Sequence, residues 1–276
     1  MRSIETPHFL IQDGRLQPRF PGGISNELAD HIAAELVPLG LVPDGSAFEQ
    51  IFVDAVLATQ PNGGDGSDPM QAWAVFYRNT MRRLRRGGRG GTGCVATFAR
   101  IYEHALSLIR GATVLDVGCC FGFLPLLAAE RYPHLRVIGT DLVPASAALA
   151  GRISRMQAGR ARFAAADLLA LPFASQAVDT VLAVHVLEHL PAEECRPALA
   201  QLCRVARHRV VIAVPLEEIP DRTFGHLQAF DLPRLAALGD VPGWSQAAHA
   251  ADGGWLVLDR DVPGTLPDRL GNRCPN

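Results

Sequence analysis

Between Thr113 and Pro215 short runs rich in Val, Ile and Leu alternate with longer segments of helical period, and this alternation constrains the fold most. Strands are predicted at Thr113–Gly118, Arg136–Asp141, Arg162–Asp167, Asp179–Val184 and Arg209–Pro215, with a last one at Trp255–Asp259. Helices are predicted at Thr97–Ile109, Phe123–Arg131, Pro144–Gln157 and Ala192–Ala206. Strands that alternate with helices connect by right-handed crossovers, which gives a mostly parallel sheet covered on both faces. The expected fold is therefore a doubly wound α/β domain, residues 94–276, preceded by an N-terminal helical region, residues 1–93.

In the N-terminal region, residues 1–20 lack a clear period and read as an extended arm. Ser25 is placed to cap a helix running to about Leu39, with Leu28, Ile32 and Leu36 at helical spacing. Further helical patterns cover Phe48–Leu57 and Met70–Arg86, with a loop from Pro61 to Pro69 between them. The second pattern ends in Arg82, Arg83, Arg85 and Arg86. We read these as a solvated helix end, where cations suit the macrodipole, rather than as a phosphate site. The following Gly87-Gly88-Arg89-Gly90-Gly91 predicts a mobile joint.

Composition narrows the function. The 276 residues are 48% hydrophobic and 20% charged, as in a folded chain. A formal charge of -2 leaves no footprint for general nucleic-acid binding. No apolar run reaches the roughly 18–20 residues of a membrane span, and Met1–Glu5 shows no signal-peptide apolar region. The six cysteines have no CxxC or zinc-ribbon spacing, and the adjacent Cys119 and Cys120 are poorly placed for an ordinary disulfide. Reduced thiols in a cytoplasmic protein, with neither nucleic acid nor membrane as partner, are expected. All 26 basic residues are arginine, which we attribute to coding bias.

In doubly wound sheets the ligand sits beyond the carboxyl ends of the strands, at the switch point. The first predicted strand runs through Asp116 into Gly118-Cys119-Cys120-Phe121-Gly122, where glycines permit a tight turn close to a ligand. The second strand ends in Asp141, suited to accept both hydroxyls of a ribose, and the third in Asp167, placed to meet a purine edge. A nicotinamide cofactor would use the same location, but Cys120 and Phe123 replace two glycines of its GxGxxG fingerprint.

These residues resemble motif I of the class I S-adenosylmethionine-dependent methyltransferases, in which an acid precedes a GxGxG turn by two residues. Cys120 departs from that pattern at the middle glycine. Asp141, Asp167-Leu168 with Leu171-Pro172-Phe173, and Asp179 through Leu190 resemble the family's later stations, so the similarity spans roughly residues 94–260. The resemblance implies a Rossmann-like fold and S-adenosylmethionine as cofactor, bound by Asp116, Gly118, Cys120, Gly122, Asp141, Asp167 and Leu168. It also implies that residues 1–93 form a lid or substrate wall.

After the fourth strand comes His185-Val186-Leu187-Glu188-His189, and His226 follows the fifth. An imidazole can act as general base near neutrality, which makes His189 and His185 the catalytic candidates. A structural reading stands beside this, in which Glu188 and His189 cap and orient a helix. A third reading takes His185, Glu188, His189 and His226 as ligands of a divalent metal. It rests on a resemblance to small-RNA and ubiquinone-type O-methyltransferases, where Glu-x-x-Glu-His holds magnesium or a similar ion. His185 stands at the first Glu, a change that favours a softer ion.

The whole chain, including Thr92-Gly93-Cys94 and Gly225–Phe230, resembles the mycofactocin-associated oligosaccharide methyltransferases of actinobacteria. This resemblance implies 2-O-methylation of a glucose in an oligoglucosyl acceptor. Trp73, Trp244 and Trp255 could stack on sugar faces, although core packing is the commoner fate of tryptophan. A quinone or phenolic acceptor is the nearest alternative, and a non-catalytic S-adenosylmethionine-binding regulator is the alternative outside enzymes.

Overall fold

The computed structural model describes residues 3–13, 15–59, 68–88 and 91–261. The expected loop through residue 67, Arg89–Gly90 and Cys274 lie outside the described residues.

A seven-stranded sheet forms the centre. Its strands are β4 (Thr113–Val117), β5 (Arg136–Asp141), β6 (Arg162–Ala165), β7 (Val178–Val184), β8 (Ala206–Val214), β9 (Trp244–Ala250) and β10 (Gly254–Arg260). They lie in the order β6-β5-β4-β7-β8-β10-β9, with the first five parallel and β10 antiparallel to both of its neighbours. The chain starts in the middle at β4, winds outward to β6, and returns to β7 on β4's other side. The switch point thus falls between β4 and β7. β4 and β7 are buried at every position, which explains why their sequences read as continuous apolar runs rather than alternating ones.

The flanking helices are α4 (Cys94–Ser107), α5 (Phe123–Arg131), α6 (Pro144–Met156), α7 (Cys195–Val205) and α8 (Leu232–Leu238). Before them come α1 (Leu28–Glu35), α2 (Gly45–Leu57) and α3 (Pro69–Arg85). The side chains of Asp44 and Asp68 cap α2 and α3 by accepting the Ala47 and Met70 amides.

Three expectations need correction. Residues 3–18 are not a lone extended arm but an antiparallel sheet of β1 (Ser3–Glu5), β2 (Phe9–Gln12) and β3 (Arg15–Pro18). Ser25 is not an N-cap: its side chain is buried and its carbonyl accepts the Leu28 amide, so α1 starts later and ends at Glu35. Gly88 is no mobile joint, because it is buried and a Cβ there would collide with the Ala96 carbonyl. The tryptophans follow the commoner fate of core packing, at 8%, 9% and 0% exposed for Trp73, Trp244 and Trp255, so none offers an open face to a sugar.

The arginine run pairs mainly with acids of other segments of the chain. Arg83 pairs with Glu27 at 2.8 Å, Arg85 with Glu130 at 2.7 Å, and Arg82 donates to Asn79 at 2.6 Å.

Sheet pleating sends alternate residues into two cores. Val211, Ala213, Leu182 and Val184 face a core shared with α1–α5, including Leu28, Ile32 and Leu36. Val210, Ile212, Val181 and Ala183 face the core built by α7 and α8. The N-terminal helices therefore bury their apolar stripes in the same core as one face of the sheet. Each fully buried Leu or Ile contributes roughly 1.5–3 kcal/mol there.

Candidate active site

β4 ends in a turn with three consecutive features in the left-handed region: Gly118 (φ 70°), Cys120 (φ 48°) and Gly122 (φ 71°). A Cβ at Gly118 would fall 2.5 Å from Val186 Cγ2, and one at Gly122 would strike the Phe163 ring. Both glycines are thus required by the protein's own neighbours as well as by the backbone angle. Cys120 adopts this angle as a non-glycine, with the strain such residues carry.

Asp141 braces the turn. Its Oδ2 accepts the Cys120 amide at 2.7 Å and its Oδ1 the Val143 amide at 2.9 Å. Each oxygen keeps further acceptor capacity, and the carboxylate is only half-buried. Asp167 caps a short 3-10 turn, accepting the Leu169 amide at 2.8 Å. The Leu168 side chain is buried in the α7/α8 core, so any ligand contact at this position falls to its backbone.

Asp116 is 4% exposed, and its backbone carbonyl accepts the Thr140 hydroxyl at 3.5 Å. Burial, and secondly the charge of Asp141, push its carboxyl well above the usual carboxylate range. Burial and Asp141 also push the Cys120 thiol up to about 12, and Cys119 rises through burial and Asp116. Neither sulfur is an ionised nucleophile at neutral pH.

A second group of titratable residues lies beyond β7. His185 sits at φ 56°, its amide donating to the Ala213 carbonyl at 2.8 Å. Its Nδ1 is 3.2 Å from Glu188 Oε1, close but not aligned as a hydrogen bond, and its Nε2 is buried without a partner. Glu188 is fully buried, and neither of its oxygens has a hydrogen-bond partner among the described residues. A 3-10 turn (Leu187–His189) carries Glu188 and the exposed His189, whose Nδ1 is 3.3 Å from the Gly225 carbonyl. His226 packs its ring perpendicular to His189, with centroids 5.1 Å apart, and its Nδ1 lies 2.9 Å from Glu217 Oε2.

Glu188, His189 and His226 each offer one ligand atom within 4.8 Å of the others. Of the four expected metal ligands, the structure brings these three together and leaves His185 outside the trio, facing Glu188.

The N-terminal helices reach both groups. Phe121, in the β4 turn, packs against Phe52, Trp73, Phe76 and Tyr77 with centroid distances of 5.4–6.3 Å. Phe48 of α2 meets Phe224 edge-on at 5.2 Å, and Phe98 of α4 lies 5.3 Å from the His185 ring. Sequence reasoning missed Phe121, Phe98 and Glu217. Only Glu217 gave a signal, as an acid just beyond the end of β8.

Residues 114–209 match a family described as a methyltransferase domain. A demethylmenaquinone methyltransferase of Thermus thermophilus is 36% identical over 33% of this chain and 41% of its own length. An ajmaline N-methyltransferase of Rauvolfia serpentina is 29% identical over 43% of each chain. The chain thus spans less than half the length of these curated relatives. Among solved structures, magnesium protoporphyrin IX methyltransferase of Synechocystis with bound SAM has a TM-score of 0.50 at 18% identity, covering 72% of this chain and all of that one. The PH0226 protein of Pyrococcus horikoshii also scores 0.50, at 14% identity, covering 59% and 88%. With the strand order and switch point described above, the solved structures show a Rossmann-like fold, and within it residues 114–209 are similar to the methyltransferase-domain family.

Proposed function

We propose that the chain is an S-adenosylmethionine-dependent O-methyltransferase acting on a hydroxyl of a small or glycosylated metabolite. The observation that carries this reading is Glu188, a fully buried carboxyl with two unpartnered oxygens beside His185 and His189. An unsatisfied buried polar group costs about 1–3 kcal/mol, a cost without return in a module that only binds.

The cofactor fits the residues present. Asp116 is a buried carboxyl, suited to the cationic amino-acid end, and the turn at Gly118, Cys120 and Gly122 follows it directly in the chain. Asp141 retains acceptor capacity for ribose hydroxyls, and Asp167 with the Leu168 backbone lies where an adenine edge would meet the sheet. S-Adenosylmethionine supplies an electrophilic methyl group on a sulfonium. His189 takes the proton from the acceptor hydroxyl as the C–O bond forms and the C–S bond breaks, with in-line alignment supplying much of the rate. His185 faces Glu188 and is the second candidate base.

Glu188, His189 and His226 also suit a divalent ion, since the two orphaned oxygens of Glu188 are ready acceptors. An ion held there would lower the pKa of the acceptor hydroxyl, and the imidazole donors favour a transition metal over magnesium.

For the acceptor we infer the 2-hydroxyl of a glucose in a mycofactocin-type oligoglucosyl chain. Its support is the resemblance through Thr92–Cys94 and Gly225–Phe230. Cys94 donates its amide to Asp30 at 2.7 Å, and Gly225 touches His189. A phenolic or quinol acceptor has its own support in the exposed Ile219, Phe224 and Leu227 around His226. The test is incubation with methyl-labelled S-adenosylmethionine and either oligoglucosides or quinols, with mass spectrometry of the product. Label on the sugar supports the first acceptor and label on the ring the second. No transfer to these or to a cell extract overturns the enzyme reading. Full activity in chelator overturns the metal.

A further inference from the structure

We propose that His8, His31 and Glu35 form a second site, for a divalent transition-metal ion of the zinc class, at the junction of the N-terminal sheet and α1. His8 lies in the turn between β1 and β2, while His31 and Glu35 are one helical turn apart on α1. All three are half-buried, and their ligand atoms lie within 4.8 Å of one another.

His8 Nδ1 and Glu35 Oε1 share a direct hydrogen bond, which an ion would open to take both atoms as ligands, with His31 beside them. His8 Nδ1 is 2.5 Å from Glu35 Oε1, and His31 Nδ1 is 3.6 Å from the same oxygen, too far for a hydrogen bond. The two imidazole rings are only 3.8 Å apart between centroids, a spacing at which two imidazolium charges repel. The His8 amide donates to Glu35 Oε2 at 3.0 Å, which fixes the carboxylate with Oε1 turned toward both rings.

Beside the cluster is a cavity of about 160 Å³ lined by both imidazoles, Phe20, Gly22, Glu27 and Arg83. It provides room for solvent or an exogenous ligand in the fourth position that two histidines and one carboxylate leave open. Two nitrogens and one oxygen select zinc or a neighbouring ion over magnesium or calcium, which require mainly oxygen donors. A bound ion would join β2 to α1, the helix whose Asp30 accepts the Cys94 amide at the start of α4.

The full-length chain carrying His189→Ala and His226→Ala removes the two histidines of the other candidate trio from the experiment. After chelator dialysis, this protein is titrated with zinc chloride or magnesium chloride by calorimetry, with elemental analysis and thermal unfolding in parallel. The expected result is one zinc per chain, a raised Tm with zinc, and no response to magnesium. Adding Glu35→Gln or His31→Gln weakens zinc binding at least tenfold and abolishes the rise in Tm, while circular dichroism confirms folding. The proposal is overturned if the double-alanine protein binds no zinc. It is equally overturned if zinc binds with unchanged affinity after both Glu35→Gln and His31→Gln.

Discussion

Glu188 Oε1 lies 3.2 Å from His185 Nδ1, with neither group correctly aligned for a hydrogen bond and the carboxyl sealed from solvent. Protein interiors seldom retain such a pair unless a ligand completes it. His185 itself is held at a positive φ at the end of a central strand, so backbone strain and an unsatisfied carboxyl occur within one turn of chain.

This arrangement predicts opposite responses of stability and turnover. Glu188→Met, similar in volume and apolar, removes the unsatisfied carboxyl and should stabilise the fold by about 1–3 kcal/mol. The same variant should lose methyl transfer. Thermal unfolding and a label-transfer assay check both, and a lower Tm would contradict the reading of Glu188 as a group retained for function.

His189→Ala should lower turnover by about 10²–10⁴ and leave S-adenosylhomocysteine affinity unchanged, since a positioned base contributes to the transition state rather than to cofactor binding. Wild-type turnover in this variant would give His189 the structural role of packing against His226.

Asp116 should couple cofactor affinity to pH. Burial holds its carboxyl above the usual range, so the proton stays on to higher pH in the free protein. A cationic amino group beside it favours the ionised form, so binding releases a proton. Affinity for S-adenosylmethionine should therefore rise with pH until the raised pKa is passed. Calorimetry in buffers of different ionisation enthalpy measures the released proton directly, and Asp116→Asn should abolish it.

Asp141→Asn should weaken cofactor binding roughly ten- to a hundredfold, through loss of a charged acceptor for the ribose. Because Asp141 also accepts the Cys120 and Val143 amides, some loss of Tm should accompany it. Unchanged affinity would remove Asp141 from the cofactor site.

Asp179 occupies the opposite end of β7 and should affect stability rather than activity. Its burial raises the pKa, but the Ala112 and Thr113 amides, the Thr113 hydroxyl and Arg207 outweigh burial and lower it overall. A depressed folded pKa contributes stability that is present above the unfolded value of 3.8 and lost as pH falls through the folded one. Asp179→Ala should flatten acid unfolding below that pH and cost about 1.5–3 kcal/mol at neutrality, read by thermal melts across pH.

The α/β domain was legible because β4, β7 and β8 are covered on both faces, so their sequences carry near-continuous apolar runs. β9 was not legible: it is an edge strand whose residues Ser245–Ala248 are exposed, and nothing in their composition demands a sheet. The three acids at strand ends could be read from position alone. The orphaned oxygens of Glu188 could not, because a missing partner is a property of space rather than of order along the chain. Asp179 sits on the strand that leads to the catalytic candidates, but at the end remote from them, where it tethers the Ala112 and Thr113 amides.

Phe121 belongs to the β4 turn proposed to hold the cofactor, and its ring is interleaved among side chains of α2 and α3. Any widening of that turn to admit or discharge the cofactor must therefore disengage aromatic rings from a close-packed cluster. Exchange would proceed as a local opening of the N-terminal helices, with a steeper temperature dependence than diffusion into an open cleft. Discharge of the spent cofactor, rather than methyl transfer, would then be the step that limits repeated turnover.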